Sequence, residues 1–204
     1  KPEDVDLPKH RERTFEGRPW WHEKVLTAEP TGSKEGAEIR KAYSRIPAQT
    51  DEQLREIIAN TYGQISLIDH QVGRLMNTLR ETGLDENTIV IYFADHGDWL
   101  GDHGLILKGP MHYEGLLRVP LIVWGPTFPA GKVCAEPVST LDLAPTLLDY
   151  AGAAALQPQH GASLRPQIEG DAPRDFALNE WELLPTRAGV ALSLRTVRTK
   201  THKM

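Results

Sequence analysis

The residues best suited to chemistry are an acidic side chain and an imidazole in adjacent positions, Asp95 and His96, together with Lys108 thirteen positions after the first. A carboxylate and an imidazole can bind a divalent cation, and a lysine ammonium acts as a compact point charge for an anion. A cation and a lysine that face one pocket could hold a charged oxyanion, with the cation polarising one oxygen. This pattern therefore predicts a metal site with an adjoining anion site.

The elements around these residues can place them together. The apolar, β-branched run Ile89–Phe93 predicts a strand covered on both faces in a mainly parallel sheet. Asp95 and His96 follow this strand at once, and open α/β sheets bind ligands beyond the carboxyl ends of their strands. The next loop can fold tightly and return Lys108 to the pair because it contains Gly97, Gly101, Gly104 and Gly109.

The clearest predicted helix is Asp51–Thr82, upstream of the strand. Thr50 with Gln53 predicts a capping box at its start, and Gly83 is suited to end it. Apolar residues recur at steps of three and four and form one stripe, namely Leu54, Ile57, Ile58, Ile65, Ile68, Val72, Leu75, Met76 and Leu79. This stripe predicts a long helix with one packed face.

Further elements follow the loop. Val119–Trp124 predicts a second apolar strand, and Thr140–Ala151 predicts a helix capped by Thr140 or Asp142. The stretch 152–174 predicts a surface connection. Two late strands are expected at Ala177–Glu182 and Ala191–Val197.

The loop and its surroundings also resemble a known family. The runs A-D-H-G-x-x-L-G-D-H-G and K-G-P-x-x-Y-E-G-x-x-R-V-P-L-I-V are similar to the second half of the sulfatase family, within the alkaline phosphatase-like superfamily. The resemblance covers Asp51–Gly152. It implies that Asp95 and His96 bind a divalent cation, usually calcium in this family, and that Lys108 contacts the sulfate group of the substrate.

The resemblance also implies a fold and a domain organisation. The fold class would be α/β, as part of a three-layer α/β/α sheet domain that is incomplete at its amino-terminal side. Residues 1–49 would form a polar connector or lid, in which Trp20, Trp21 and His22 stand in a loop. Residues 50–152 would form the second half of the catalytic core, and 153–204 a connection and the start of a carboxyl-terminal subdomain.

One family feature is missing from the chain. Sulfatases carry a nucleophile in a Cys- or Ser-x-Pro-x-Arg segment, and in many of them this residue is oxidised to formylglycine. Here the single cysteine, Cys134, lies in Cys-Ala-Glu-Pro, where the proline comes one position too late. We therefore expect the 204 residues to be the carboxyl-terminal part of a longer enzyme, inactive alone, whose missing amino-terminal half supplies the formylglycine.

The number of metal ligands leads to the same expectation. Calcium takes about six to eight ligands and magnesium about six, so two side chains complete neither shell. Calcium is expected from the resemblance, whereas the residue types also allow magnesium, manganese or zinc. A second acidic and imidazole pair, Asp102 and His103, is expected to brace the loop, and His103 is also a candidate for bordering the substrate.

Composition limits the choice of partners. The formal net charge is -5, so there is no basic excess to favour nucleic acid or an anionic membrane. The expected partner is a small-molecule sulfate ester, and an oligomer is possible. We expect a soluble protein, cytoplasmic or periplasmic, because no apolar stretch approaches the roughly 20 residues of a membrane helix.

Two other functions agree with the same residues. Close relatives of the family hydrolyse phosphonate monoesters or phosphodiesters, and the oxyanions of sulfur and phosphorus have similar shapes. The chain could also be a non-catalytic module that keeps the fold. An upstream Cys- or Ser-x-Pro-x-Arg segment would distinguish an enzyme from such a module.

Overall fold

The computed structural model describes residues 1–12, 14–27, 49–155, 157–170, 172–183 and 191–204. They form two compact units. Unit 1 comprises residues 1–86, 92–122 and 182–192, and unit 2 comprises 87–91, 123–181 and 193–204. Asp95, His96 and Lys108 all belong to unit 1. In the described part of the chain, no helix has both the length and the apolar character that crossing a bilayer requires.

The amino-terminal segment contains more regular structure than the sequence predicted. A 3-10 turn spans Pro2–Asp4, and helix α1 spans Trp20–Thr27. Trp20 and Trp21 therefore lie on a helix, and their expected place in a loop was wrong. The rest of the predicted connector or lid, residues 28–48, lies outside the described residues.

Helix α2 (Asp51–Glu81) confirms the predicted long helix and its ends. The Thr50 hydroxyl accepts the Gln53 amide at 3.2 Å, and the Gln53 side-chain carbonyl accepts the Thr50 amide at 3.0 Å. These reciprocal bonds satisfy backbone donors that the first helical turn leaves without partners. The chain leaves the helix through Thr82 and Gly83, where Gly83 has a φ of +67°.

Only the first turns of α2 are buried. Leu54 and Ile58 pack with Val5 and Ile106 in the core of unit 1. Farther along the same stripe, Ile65 is 51% exposed, and Ile68 and Leu75 are also largely exposed. Val72, Met76 and Leu79 are half-buried, so among the described residues the predicted packed face is buried at its start and partly covered farther along.

Two short strands precede and follow the candidate loop. Strand β1 (Val90–Phe93) pairs with strand β2 (Leu121–Trp124), which confirms both predicted strands with slightly shorter bounds. Phe93 is 48% exposed and Ile122 is 59% exposed. The expected coverage of the first strand on both faces is therefore not reached among the described residues, because such coverage requires helices packed on each side of a wider sheet.

Unit 2 contains helix α4 (Leu143–Ala151), which a 3-10 turn at Thr140–Asp142 precedes. Asp142 stands at the N-cap position of α4, as one of the two predicted caps, but its side chain makes no capping hydrogen bond there; Ser139 caps the preceding 3-10 turn. Its hydroxyl accepts the amide of Leu141 at 3.3 Å, and its own amide donates to the Asp142 carboxylate at 2.7 Å. Short helices α3 (Glu114–Leu117, in unit 1) and α5 (Arg165–Glu169), and paired strands β3 (Ala177–Leu183) and β4 (Leu192–Arg198), complete the described elements.

A buried ion pair holds the connection after α4. The Asp142 carboxylate is fully buried, and the Arg174 guanidinium lies 2.6 Å from one of its oxygens and 2.9 Å from the other. The Ala162 amide also donates to Asp142 at 2.9 Å. The chain between residues 152 and 174, predicted as a surface connection, therefore returns to the start of α4. The buried charge of Asp142 is balanced by Arg174 and by hydrogen bonds.

Candidate metal and anion site

The loop after β1 brings the three candidate residues together. Asp95 and His96 lie just beyond the end of the strand. The loop then turns back, and the ammonium nitrogen of Lys108 lies 2.6 Å from Nε2 of His96. A carboxylate, an imidazole and an ammonium group therefore share one small region of unit 1.

The Asp95 carboxylate is accessible and ionised. Its side chain is 82% exposed, and its Oδ1 accepts the backbone N–H of His96 at 2.9 Å. This hydrogen bond lowers the pKa of Asp95 below its ordinary value, and the positive charge of Lys108 adds to the effect. An exposed carboxylate that is ionised at neutral pH is suited to binding a hard cation.

The His96 ring is oriented by a backbone contact. Its Nδ1 lies 2.9 Å from the carbonyl oxygen of Gly97, to which a protonated Nδ1 donates. In that tautomer the lone pair resides on Nε2, on the side of Asp95 and Lys108. A histidine that binds a metal through Nε2 is commonly fixed by this kind of bond from Nδ1.

The separation of the two candidate ligands fits a single cation. Oδ2 of Asp95 lies 3.4 Å from Nε2 of His96. Two ligands at right angles around calcium, each at about 2.3 to 2.6 Å, lie about 3.3 to 3.7 Å apart. The two atoms could therefore bind one ion without rearrangement of the backbone.

These two side chains do not form a complete metal site. Among the described residues, no group of three or more His, Cys, Asp or Glu side chains could hold a metal ion. A six- or higher-coordinate cation bound by Asp95 and His96 would need ligands from elsewhere.

Gly97 allows the loop to pass close to helix α3. A Cβ at this position would lie 1.8 Å from the carbonyl oxygen of Gly115, which no side chain can tolerate. The Gly97 amide also donates to the carbonyl of Leu116 at 2.8 Å. The close approach fixes the backbone immediately after Asp95 and His96.

Asp98 holds the two ends of the loop together, a role the sequence analysis missed. Its Oδ1 accepts the amide of Leu100 at 2.8 Å and the amide of Leu107 at 2.9 Å. The first bond follows from the tendency of aspartate to accept the amide two residues ahead. The second joins residues nine positions apart, which no local pattern could indicate.

His103 lies in a second group of side chains. Its ring stacks on Tyr113 with centroids 3.9 Å apart, and its Nε2 lies 3.6 Å from the Asp102 carboxylate. His10 stacks more loosely on it at 6.2 Å. Asp102 and His103 are therefore close to each other, and their expected role in bracing the loop stays a prediction.

A small cavity adjoins this group. Its lining includes Arg18, His22, His103 and Tyr113. The Arg18 guanidinium lies 5.4 Å from the centre of the Tyr113 ring. Burial lowers the pKa of His22, as does the nearby charge of Arg18, and burial raises the pKa of Tyr113. His22 is therefore favoured in its neutral form. The side chain of Trp20 is 70% exposed, whereas that of His22, two residues later in α1, is buried.

Comparison with known proteins identifies the family. A sequence model of the sulfatase family matches residues 20–153, and the chain belongs to this family. The chain is 41% identical over 120 residues to an arylsulfatase of Clostridium perfringens, a match that covers 57% of the chain and 25% of that protein. It is 37% identical over 135 residues to a choline-sulfatase of Rhizobium meliloti, covering 65% of the chain and 26% of that protein.

Solved structures agree on the fold. The phosphonate monoester hydrolase of Agrobacterium radiobacter superposes with a TM-score of 0.66 at 30% identity, covering 76% of the chain and 33% of that structure. The described elements thus form part of the α/β fold of this superfamily. The chain spans about a quarter of the length of the curated relatives named above.

Proposed function

We propose that these 204 residues are part of a longer, metal-dependent sulfatase that hydrolyses sulfate esters. In this proposal Asp95 and His96 hold the divalent cation and Lys108 contacts the sulfate group. The observation that supports it most directly is the meeting of the three side chains at the end of β1, with Lys108 2.6 Å from His96.

The names of the relatives support the choice of substrate class. An arylsulfatase and a choline-sulfatase both act, by name, on sulfate esters. Because the chain spans about a quarter of their length, the remaining metal ligands and the formylglycine nucleophile are assigned to the rest of the protein. The 204 residues alone would then be inactive.

The contribution of this chain to the reaction is mainly electrostatic. Lys108 can neutralise part of the charge on the sulfate oxygens, because an ammonium group carries a positive charge and three hydrogen-bond donors. A bound divalent cation would polarise an oxygen of the ester group. Fixed charges of this kind stabilise the transition state without reorganising during the reaction.

We propose calcium as the cation, with manganese, magnesium or zinc as alternatives. The exposed Asp95 carboxylate and the 3.4 Å separation from His96 suit calcium. An imidazole ligand is also common for manganese and zinc. Metal analysis of the intact protein, purified without chelator, would identify the ion directly.

A phosphonate monoester is the second candidate substrate. The structural likeness to the phosphonate monoester hydrolase supports it. Sulfate and phosphonate groups are both tetrahedral oxyanions, and a lysine with a cation can accommodate either.

Parallel kinetics of the intact enzyme would test the proposal. We expect a higher kcat/KM for an aryl sulfate than for an aryl phosphonate, and a loss of about 100-fold or more for Asp95→Ala and His96→Ala. A preference for the phosphonate would overturn the substrate assignment. Wild-type rates in both variants would overturn the metal site, whereas hydrolysis of neither ester would favour a non-catalytic module.

A further inference from the structure

We infer that Asp98 is a positioning residue, which fixes the place of Lys108 beside the candidate metal ligand His96. The inference rests on the proposed function of Lys108. Asp98 itself makes its two described contacts with backbone amides, so its effect on the reaction would pass through the loop.

The geometry of the loop supports this role. A single carboxylate oxygen of Asp98 accepts the amides of Leu100 and Leu107, at 2.8 and 2.9 Å. The Trp99 amide donates to the Leu107 carbonyl at 3.2 Å, so Leu107 is held at both its amide and its carbonyl. Asp98 thus joins the start of the loop to the residue directly before Lys108.

The two amides that Asp98 accepts belong to residues with an unfavourable backbone. Leu100 has a φ of 45° and Leu107 a φ of 64°, in the left-handed region that side chains disfavour. Such conformations persist only where the surroundings hold them, and they concentrate at functional sites. Since Leu107 precedes Lys108, its backbone angles set the direction in which the lysine leaves the loop.

The rest of the loop is anchored independently of Asp98. Trp99, Leu105 and Ile106 are buried, whereas Leu107 and Lys108 are exposed. Hydrophobic packing therefore holds the middle of the loop, and Met111 beyond Lys108 is buried as well. The exposed residue Leu107 between them is held by its backbone, whose amide donates to Asp98 and whose carbonyl accepts the amide of Trp99.

A double-mutant cycle in the intact enzyme would test the coupling. We expect Asp98→Ala to lower kcat/KM for an aryl sulfate by about tenfold or more, because small displacements of a catalytic group are costly. In a Lys108→Ala background the same change should lower it by less than about threefold, since residues that act together are not additive. Asp98→Asn keeps an oxygen acceptor and should retain most of the activity.

Amide hydrogen exchange gives a readout that does not depend on turnover. Exchange at Leu107 should be faster in Asp98→Ala than in the wild type and close to normal in Asp98→Asn. Exchange at Leu54, in the core, should stay unchanged and would show that the variant is folded. Asp69→Ala removes an exposed carboxylate of α2 and serves as a control, with normal exchange at Leu107.

The outcomes separate this inference from the proposed function. Equal losses from Asp98→Ala in both backgrounds, or unchanged exchange at Leu107, would overturn the positioning role while leaving the role of Lys108 intact. If Lys108→Ala alone caused no loss, the proposed role of Lys108 would fail, and the inference about Asp98 would fail with it.

Discussion

The ammonium nitrogen of Lys108 lies 2.6 Å from Nε2 of His96, on the side of the ring where Oδ2 of Asp95 lies 3.4 Å away. A neutral imidazole has one lone pair in its plane, and it can accept from the lysine or bind a cation, but not both. Occupation of the metal site would therefore release Lys108 from His96 toward an anion.

Removal of this lysine should strengthen cation binding. In the intact protein we expect Lys108→Met to lower the Kd for calcium by roughly threefold or more, because it removes a competing donor and a nearby positive charge. Isothermal titration would measure the change. Lys132→Met removes a lysine from unit 2 and is the control. A Kd that rises or stays constant in Lys108→Met would contradict the competition.

Gly97 should tolerate no side chain. We expect Gly97→Ala to reduce the free energy of unfolding by about 2 to 3 kcal/mol or more, since its Cβ would lie 1.8 Å from a backbone oxygen. Gly63→Ala is the matched control, because, in the described part of the chain and apart from its own helical turn and chain neighbours, no atom lies within 4 Å of its Cβ position in α2. Alanine there should be neutral or stabilising by up to about 1 kcal/mol. Chemical denaturation would measure the free energy of unfolding of both variants, and equal values would contradict the close approach at Gly97.

His22 should make stability depend on pH. Burial and Arg18 lower its folded pKa below the ordinary value of 6.5, so the unfolded state binds a proton first as the pH falls. Its contribution is fully present above about pH 6.5 and is lost as the pH falls toward the folded pKa.

Thermal unfolding between pH 8 and pH 5 would measure this loss. The difference in stability between the wild type and His22→Gln should decrease across that range, because glutamine does not titrate. Glu136 and Asp149 have lowered pKa values and titrate below this window. A difference that is constant with pH would show that His22 does not contribute.

Periodicity and capping predicted α2 well, because both signals are local. Thr50 and Gln53 form the expected box, and the helix ends next to Gly83. The meeting of Lys108 with His96 was also foreseeable, because the glycines of the loop allow a tight return to the end of a strand. The apolar runs that predicted the strands are also local signals.

Contacts between distant residues were less predictable. The bond from Leu107 to Asp98 and the stack of His103 on Tyr113 depend on how the loop folds, which no spacing encodes. Helix α1 was missed because the polar, proline-containing surroundings of Trp20 and Trp21 resemble a loop. Coverage of β1 on both faces was predicted but is not reached among the described residues, because it depends on layers beyond its own run of residues.

The exposed apolar residues along α2 have a practical consequence for handling the protein. Among the described residues, Ile65, Leu67, Ile68 and Leu75 are each about half exposed or more, and exposed apolar side chains of this kind promote contact between molecules. Concentrated solutions of the 204-residue protein should therefore aggregate, and detergent or dilution should reduce the aggregation.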